Sequence, residues 1–257
     1  MTKRFISIAT LALVLLFTGS ASAELVAKGN LFIHFDGGIM PKALPRHTLA
    51  PIAVRIEGTV RTPKGSVPPA VRRIQIALNR EGHLETRGLP VCRRRQIALA
   101  SPQEALAACG PALVGGGGFT GRMALTGQPT VSFPGQILLF NTRINGHPAA
   151  LAHISQTQPV VLNRIVVFHI RRTSGTFGTV ITGDLPPSLN RNGYLKSIFL
   201  QLQRRYVFHG QPRSYLSASC AAPPGFTTAI FPFANASMTF SDGRTLSATM
   251  TRTCQVR

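Results

Sequence analysis

Tryptophan is absent from this 257-residue chain, tyrosine occurs three times, and only eight residues are acidic. Without tryptophan the usual flat apolar platform for sugars is missing. Without aromatics interleaved among the basic residues there is little to stack on unpaired bases. Fifteen phenylalanines do occur, but most fall at alternating apolar positions where a core needs them. Charged residues make up 14% of the chain, too few for a coiled coil or a long solvated helical array. Glycine and proline are plentiful (24 and 19) yet follow no G-X-Y period, which excludes a collagen-like chain. What is left is a loop-rich, strongly basic chain whose 44% hydrophobic content is enough to bury a core.

The N-terminus carries the most specific signal. Lys3 and Arg4 precede an uncharged, largely apolar stretch from Phe5 to Phe17, and Ala21-Ser22-Ala23 supplies an A-x-A cleavage site. That order predicts a Sec-type signal peptide over residues 1–23 and a secreted, extracellular chain starting at Glu24. The apolar stretch is shorter than the roughly 20 residues of a spanning helix, and no second run of that length follows. No transmembrane segment is therefore expected after cleavage. An even number of cysteines in an oxidising compartment reads as two disulfides among Cys92, Cys109, Cys220 and Cys254. Three pairings are open. The sequential one, Cys92–Cys109 and Cys220–Cys254, is preferred because each bond then staples a local element. A tetrathiolate zinc site would want a C-x-x-C pair, and there is none.

Apolar alternation of period two dominates the rest. Ile52, Val54 and Ile56 alternate with Ala53 and Arg55; Ile74, Ile76 and Leu78 alternate with Gln75 and Ala77; Ile198, Leu200 and Leu202 alternate with Phe199 and Gln201. About a dozen such runs, punctuated by Gly and Pro, predict an all-β fold: a disulfide-stapled β-sandwich, Ig-like or related. Asn145-Gly146 suits a two-residue type I′ turn, which sets Phe140 opposite Leu151 and Ile137 opposite Ile154. At Ser241-Asp242-Gly243 a three-residue loop sets Met238 against Leu246 and Ala236 against Ala248, with Gly243 left-handed. The one convincing helix is short, near 101–109. Ser101-Pro102-Gln103-Glu104 is a capping box with proline at the first helical position, and Gly110-Pro111 ends it. The organisation is read as a single β-rich domain, 24–257. The alternative is two β subdomains, 24–114 and 119–257, joined by the glycine run Gly115 to Gly118.

Leu89-Pro90-Val91-Cys92 followed by Cys109-Gly110-Pro111-Ala112-Leu113-Val114-Gly115 resembles a pattern in secreted β-rich proteins of high-GC Gram-positive bacteria. Ser219-Cys220, Asp242-Gly243 and Cys254 resemble the C-terminal element of the same group, Cys, a D-G hairpin, Cys. The resemblance covers about a third of the chain. It implies sequential disulfides and a β-rich extracellular fold, and it transfers no active site.

Motifs for chemistry are scarce. Gly116-Gly117-Gly118-Phe119-Thr120-Gly121 spells G-x-G-x-x-G, but a dinucleotide loop needs a strand before it, a helix after it and an acid about 20 residues on. Here a helix precedes, the chain after it breaks at Gly127-Gln128-Pro129, and no acid follows until Asp184. No two of the seven histidines have metal-ligand spacing on a helix. No G-x-S-x-G or H-E-x-x-H occurs. No catalytic, metal or cofactor residue is therefore nominated, and an extracellular hydrolase with an unrecognised site stays as the alternative function.

The charge is the strongest functional hint. Loss of Lys3 and Arg4 with the leader lowers the formal charge only from +20 to +18, and 23 of the 28 basic residues are arginine. Arginine runs occur at Arg72-Arg73, Arg93-Arg94-Arg95, Arg171-Arg172 and Arg204-Arg205. Guanidinium groups bind phosphate and carboxylate bidentately. These nine residues are the candidate contacts for an anionic cell-envelope polymer, a lipid surface or extracellular nucleic acid. The reading is thus a secreted or cell-surface binding or structural protein. The equally simple alternative is that the charge is compositional and keeps the domain soluble.

Overall fold

The computed structural model describes residues 24–63, 66–123, 130–187 and 193–257; the predicted leader and the Gly127-Gln128-Pro129 break lie outside them. In chain order the first strands are β1 (Glu24–Lys28), β2 (Leu31–Met40), β3 (Ala43–Leu44), β4 (Ala50–Pro51), β5 (Ala53–Arg61), β6 (Val71–Asn79) and β7 (Gly82–Leu84). Two helices, α1 (Arg94–Ile97) and α2 (Pro102–Cys109), lead into β8 (Leu113–Met123), β9 (Val131–Ile144), β10 (His147–Gln156), β11 (Leu162–Arg172) and β12 (Phe177–Asp184). Then come β13 (Tyr194–Leu202), β14 (Arg205–Phe208), β15 (Gln211–Ser214), β16 (Leu216–Ala218), β17 (Thr228–Phe240) and β18 (Thr245–Val256).

The all-β expectation holds, with two disulfides. The arrangement departs from two face-to-face sheets. Thirteen strands form one sheet in the order β1-β2-β5-β13-β8-β9-β10-β11-β12-β6-β17-β18-β3, antiparallel except for the β18–β3 pair. The sheet curls into a half-barrel. Its two flanks face each other: a Cβ on Gly58 of β5 would lie 3.4 Å from Met238 Cε of β17. Two small sheets, β14-β15 and β4-β16-β7, accompany it.

Both hairpin registers follow the predicted turn chemistry. Phe140 faces Leu151 and Ile137 faces Ile154, with Asn145 and Gly146 both at positive φ. Met238 faces Leu246 and Ala236 faces Ala248, with Gly243 at φ +83. The glycine run is not a linker. Gly115 to Gly118 lies inside β8, paired with β13 on one side and β9 on the other, so strands from before and after it share one sheet.

The main core lies inside the curl, where Leu31, Ile33, Met238, Phe240, Leu246 and Met250 are almost wholly buried. A smaller core lies on the convex side of β9 and β10. There Leu138, Phe140 and Leu151 pack against Ile97, Ala105 and the Cys92–Cys109 cystine. The predicted capping box of α2 is present: Ser101 Oγ accepts from Glu104 N, and Ser101 N donates to the Glu104 carboxylate at 2.7 Å. Those bonds hold the Glu104 carboxyl below its usual range. The second helix, α1, was not legible in advance, since one turn carries no periodicity.

Eight residues are a marginal helix in water, so the bond at its C-terminus matters. The cystine closes a segment of sequence separation 17. Replacing Cys92 and Cys109 together by Ala is expected to cost about 3 kcal/mol on loop-closure grounds. A urea midpoint unchanged in that variant would show that α2 is held by its capping and packing alone.

Candidate functional site: a basic strand end and an apolar interior

The strands have two ends, one marked by the Asn145-Gly146 turn and the other by the Asp242-Gly243 turn. Strand register places seven of the nine candidate arginines at the Asn145 end. Arg171 and Arg172 close β11 just beyond His169, which faces Ala149. Arg93 to Arg95 begin beside Cys92, whose N–H donates to Asn141 O and whose carbonyl accepts from Thr142 Oγ1 at 2.7 Å. Arg204 and Arg205 follow β13, and Arg204 Nη2 donates to Pro111 O, two residues past the cystine beside Arg93. Strands lie about 4.8 Å apart, so β9 and β11 bring the first two groups to within roughly 10 Å of one another laterally.

Arg72 and Arg73 do not join them. They sit at the Asp242 end, where Arg73 faces Asp184 across β6–β12. Arg73 Nε and Nη2 donate to the two Asp184 oxygens at 2.6 and 3.1 Å, which holds the Asp184 carboxyl below its usual range.

Within the cluster the side chains divide by task. Arg172 Nη2 donates to Leu84 O at 2.7 Å and Nη1 to Thr179 Oγ1, so it ties β11 to β7 and β12. Arg93, Arg94, Arg95, Arg171 and Arg205 are exposed. None of the seven forms an ion pair among the described residues. The positive field is felt locally: burial, and then the charge of Arg172, push the His83 pKa below its ordinary 6.5, against a smaller opposite pull from Glu85. Arg143 and Arg213, exposed at the same end, were not singled out in the sequence because each stands alone.

All eight carboxylates have partners outside the seven, although Glu81 and Glu85 lie at the same end. Glu57, Glu81 and Asp242 pair with Arg55, Arg80 and Arg244, while Glu24 and Asp36 share Arg252. Asp184 holds Arg73, Glu104 caps α2, and Glu85 accepts from Arg87 N. Among the described residues no group of three or more His, Cys, Asp or Glu could hold a metal ion.

The second feature was not legible in the sequence. Toward the Asp242 end the interior of the curl holds a cavity of about 90 Å³. Strands β8 to β11 and β13 form most of it, with Ile74 of β6 and Leu185 also on its wall. Three of its phenylalanines lie over glycines on the neighbouring strand: Phe133 on Gly121, Phe119 on Gly135 and Phe168 on Gly183. Side chains at those glycines would strike the rings, so the Gly–Phe pairs set the aromatic part of the wall. Phe119 and Phe133 meet edge to face, centroids 6.4 Å apart.

The chain matches no protein-family model, no curated protein and no solved structure. No helix among the described residues is long and apolar enough to cross a membrane.

Proposed function

We propose that the protein is secreted and works by binding, its Asn145 end associating electrostatically with an anionic polymer or lipid of the cell envelope. One observation carries this reading: seven arginines from three separate runs gather at one end of the sheet with no carboxylate partner, and of the two acids at that end Glu81 pairs with Arg80 and Glu85 accepts from the Arg87 N–H. A merely compositional charge has no reason to gather seven arginines where only two acids lie. The signal-peptide pattern and two cystines support an oxidising, extracellular setting. The Cys-motif likeness to secreted β-rich proteins of high-GC Gram-positive bacteria points the same way.

Exposed guanidinium contacts are screened by salt, with a Debye length of about 10 Å at 0.1 M. Retention on heparin or teichoic-acid matrices should therefore fall steeply between low and high salt. At about 0.5 kcal/mol for each exposed pair, replacing Arg93, Arg94 and Arg95 by Ser should weaken binding about tenfold. The same change at Arg72 and Arg73 should have a much smaller effect. Equal losses from both ends, or retention indifferent to salt, would dismiss the reading.

A further inference from the structure

Several interior-facing side chains around the cavity are apolar yet incompletely buried. Phe119, Ile154, Phe168, Leu195, Ile198 and Leu200 retain solvent access, whereas Leu31, Ile33, Met238 and Phe240 elsewhere in the same core have almost none. A folding chain ordinarily collapses such surface, because wet apolar area inside a curl is unfavourable. Here the collapse is blocked by backbone. β8 and β9 are hydrogen-bonded neighbours in a register that lays Phe133 and Phe119 over Gly121 and Gly135, and the approach of Gly58 to Met238 sets the spacing of the β5 and β17 flanks. The space is left as a feature of the sheet's curvature.

Its wall has no ionisable group other than Tyr194, and the one amide, Gln156, donates its Nε2 to Val160 O at 3.2 Å. An ion would find no counter-charge there, and water would find few partners. An apolar molecule would find three phenylalanine rings, the Tyr194 ring and a rim of Ile and Leu. We propose that this cavity is a binding site for a small, uncharged, hydrocarbon-rich ligand: the end of a linear alkyl chain or a single ring. The site is separate from the arginine cluster, which lies at the opposite end of the strands.

The test titrates the full mature chain with a series of 1-alkanols from butanol to decanol, followed by calorimetry. Burial of each methylene should tighten binding about fourfold until the cavity is full, after which the gain stops. Ala152→Phe, which fills the space from β10, should weaken binding at least tenfold while circular dichroism stays that of the parent. Leu139→Ala, which enlarges it from β9, should move the plateau to a longer alkanol. The second variant and the parent series decide the matter if the first fails to fold. No saturable binding by any alkanol, or a length profile indifferent to Leu139→Ala, would overturn the proposal. Alkanoates of the same lengths should bind more weakly than alkanols. Tighter binding of the carboxylates would overturn the uncharged-ligand assignment.

Discussion

Gly117→Val is expected to yield no folded protein, and Gly117→Ala to lose more than about 3 kcal/mol. A Cβ at Gly117 would lie 1.9 Å from the carbonyl oxygen of Phe199 and 2.8 Å from its carbonyl carbon. Those are backbone atoms of β13, and they have nowhere to retreat. β13 is paired on its other side with β5, where Phe199 faces Glu57. A side chain at 117 must therefore either break the β8–β13 ladder or push β5 out of the sheet. Gly115, with Gln201 O at 2.5 Å from its virtual Cβ, should show the same intolerance. Gly38→Ala in β2 is the matched control. Nothing lies within 4 Å of that site, so its change should stay within about 0.5 kcal/mol. Far-UV circular dichroism and urea midpoints of the three variants check this. A Gly117→Val protein that melts like the parent would show that the two strands do not approach so closely.

Arg252→Ala should cost about 4 kcal/mol, the next largest loss from a single side chain. Arg252 lies on β18 and is only 7% exposed. Its Nη2 reaches Asp36 Oδ1 at 2.7 Å, its Nε donates to Gly37 O, and its Nη1 stands 3.7 Å from Glu24. One guanidinium thus ties β18 to β1 and β2, strands that enter the sheet far from it in pairing order. Removing it leaves two carboxylates without their cation and a backbone carbonyl without its donor; breaking one partner of a buried pair costs about 3–5 kcal/mol. Asp36 keeps a third of its surface in water, which moderates the value. Arg252→Lys retains the charge but not the planar fork, and should fall between parent and Ala. Because the pair is sheltered, the loss should change little between low and high salt. Hydrogen exchange of β1 amides should accelerate first. An unchanged urea midpoint for Arg252→Ala would mean that the curl closes without this contact.

The two halves of the candidate site were unequally legible. Arginine runs stand out in a sequence, so the residues of the cluster were found, but not their arrangement. Arg72-Arg73 looks the same as Arg171-Arg172 on paper. Only β12 running from Phe177 to Asp184 shows that the two pairs lie at opposite strand ends, and that Asp184 occupies one of them. The cavity had no advance signal of that kind. Its residues come from seven stretches of chain, and each Phe or Ile in it reads as ordinary core. The Gly–Phe pairs that shape it are a cross-strand property, as Gly121 and Phe133 show, and such pairs exist only once register is known.

By itself the sequence determined what depends on neighbours within a few residues. The β content comes from period-two alternation, the α2 cap from Ser101 and Glu104, and the two hairpin registers from Asn145-Gly146 and Asp242-Gly243. Each is a matter of local dihedral preference and one- or two-turn hydrogen bonding. The tertiary structure alone decided that one sheet curls in place of two stacking, that four consecutive glycines form a strand, and where the arginines and the cavity lie. Those outcomes rest on pairings such as Gly58 with Ile198, and on which backbones approach too closely for any side chain. Contacts across such separations depend on how the whole set of strands closes, which no local pattern encodes.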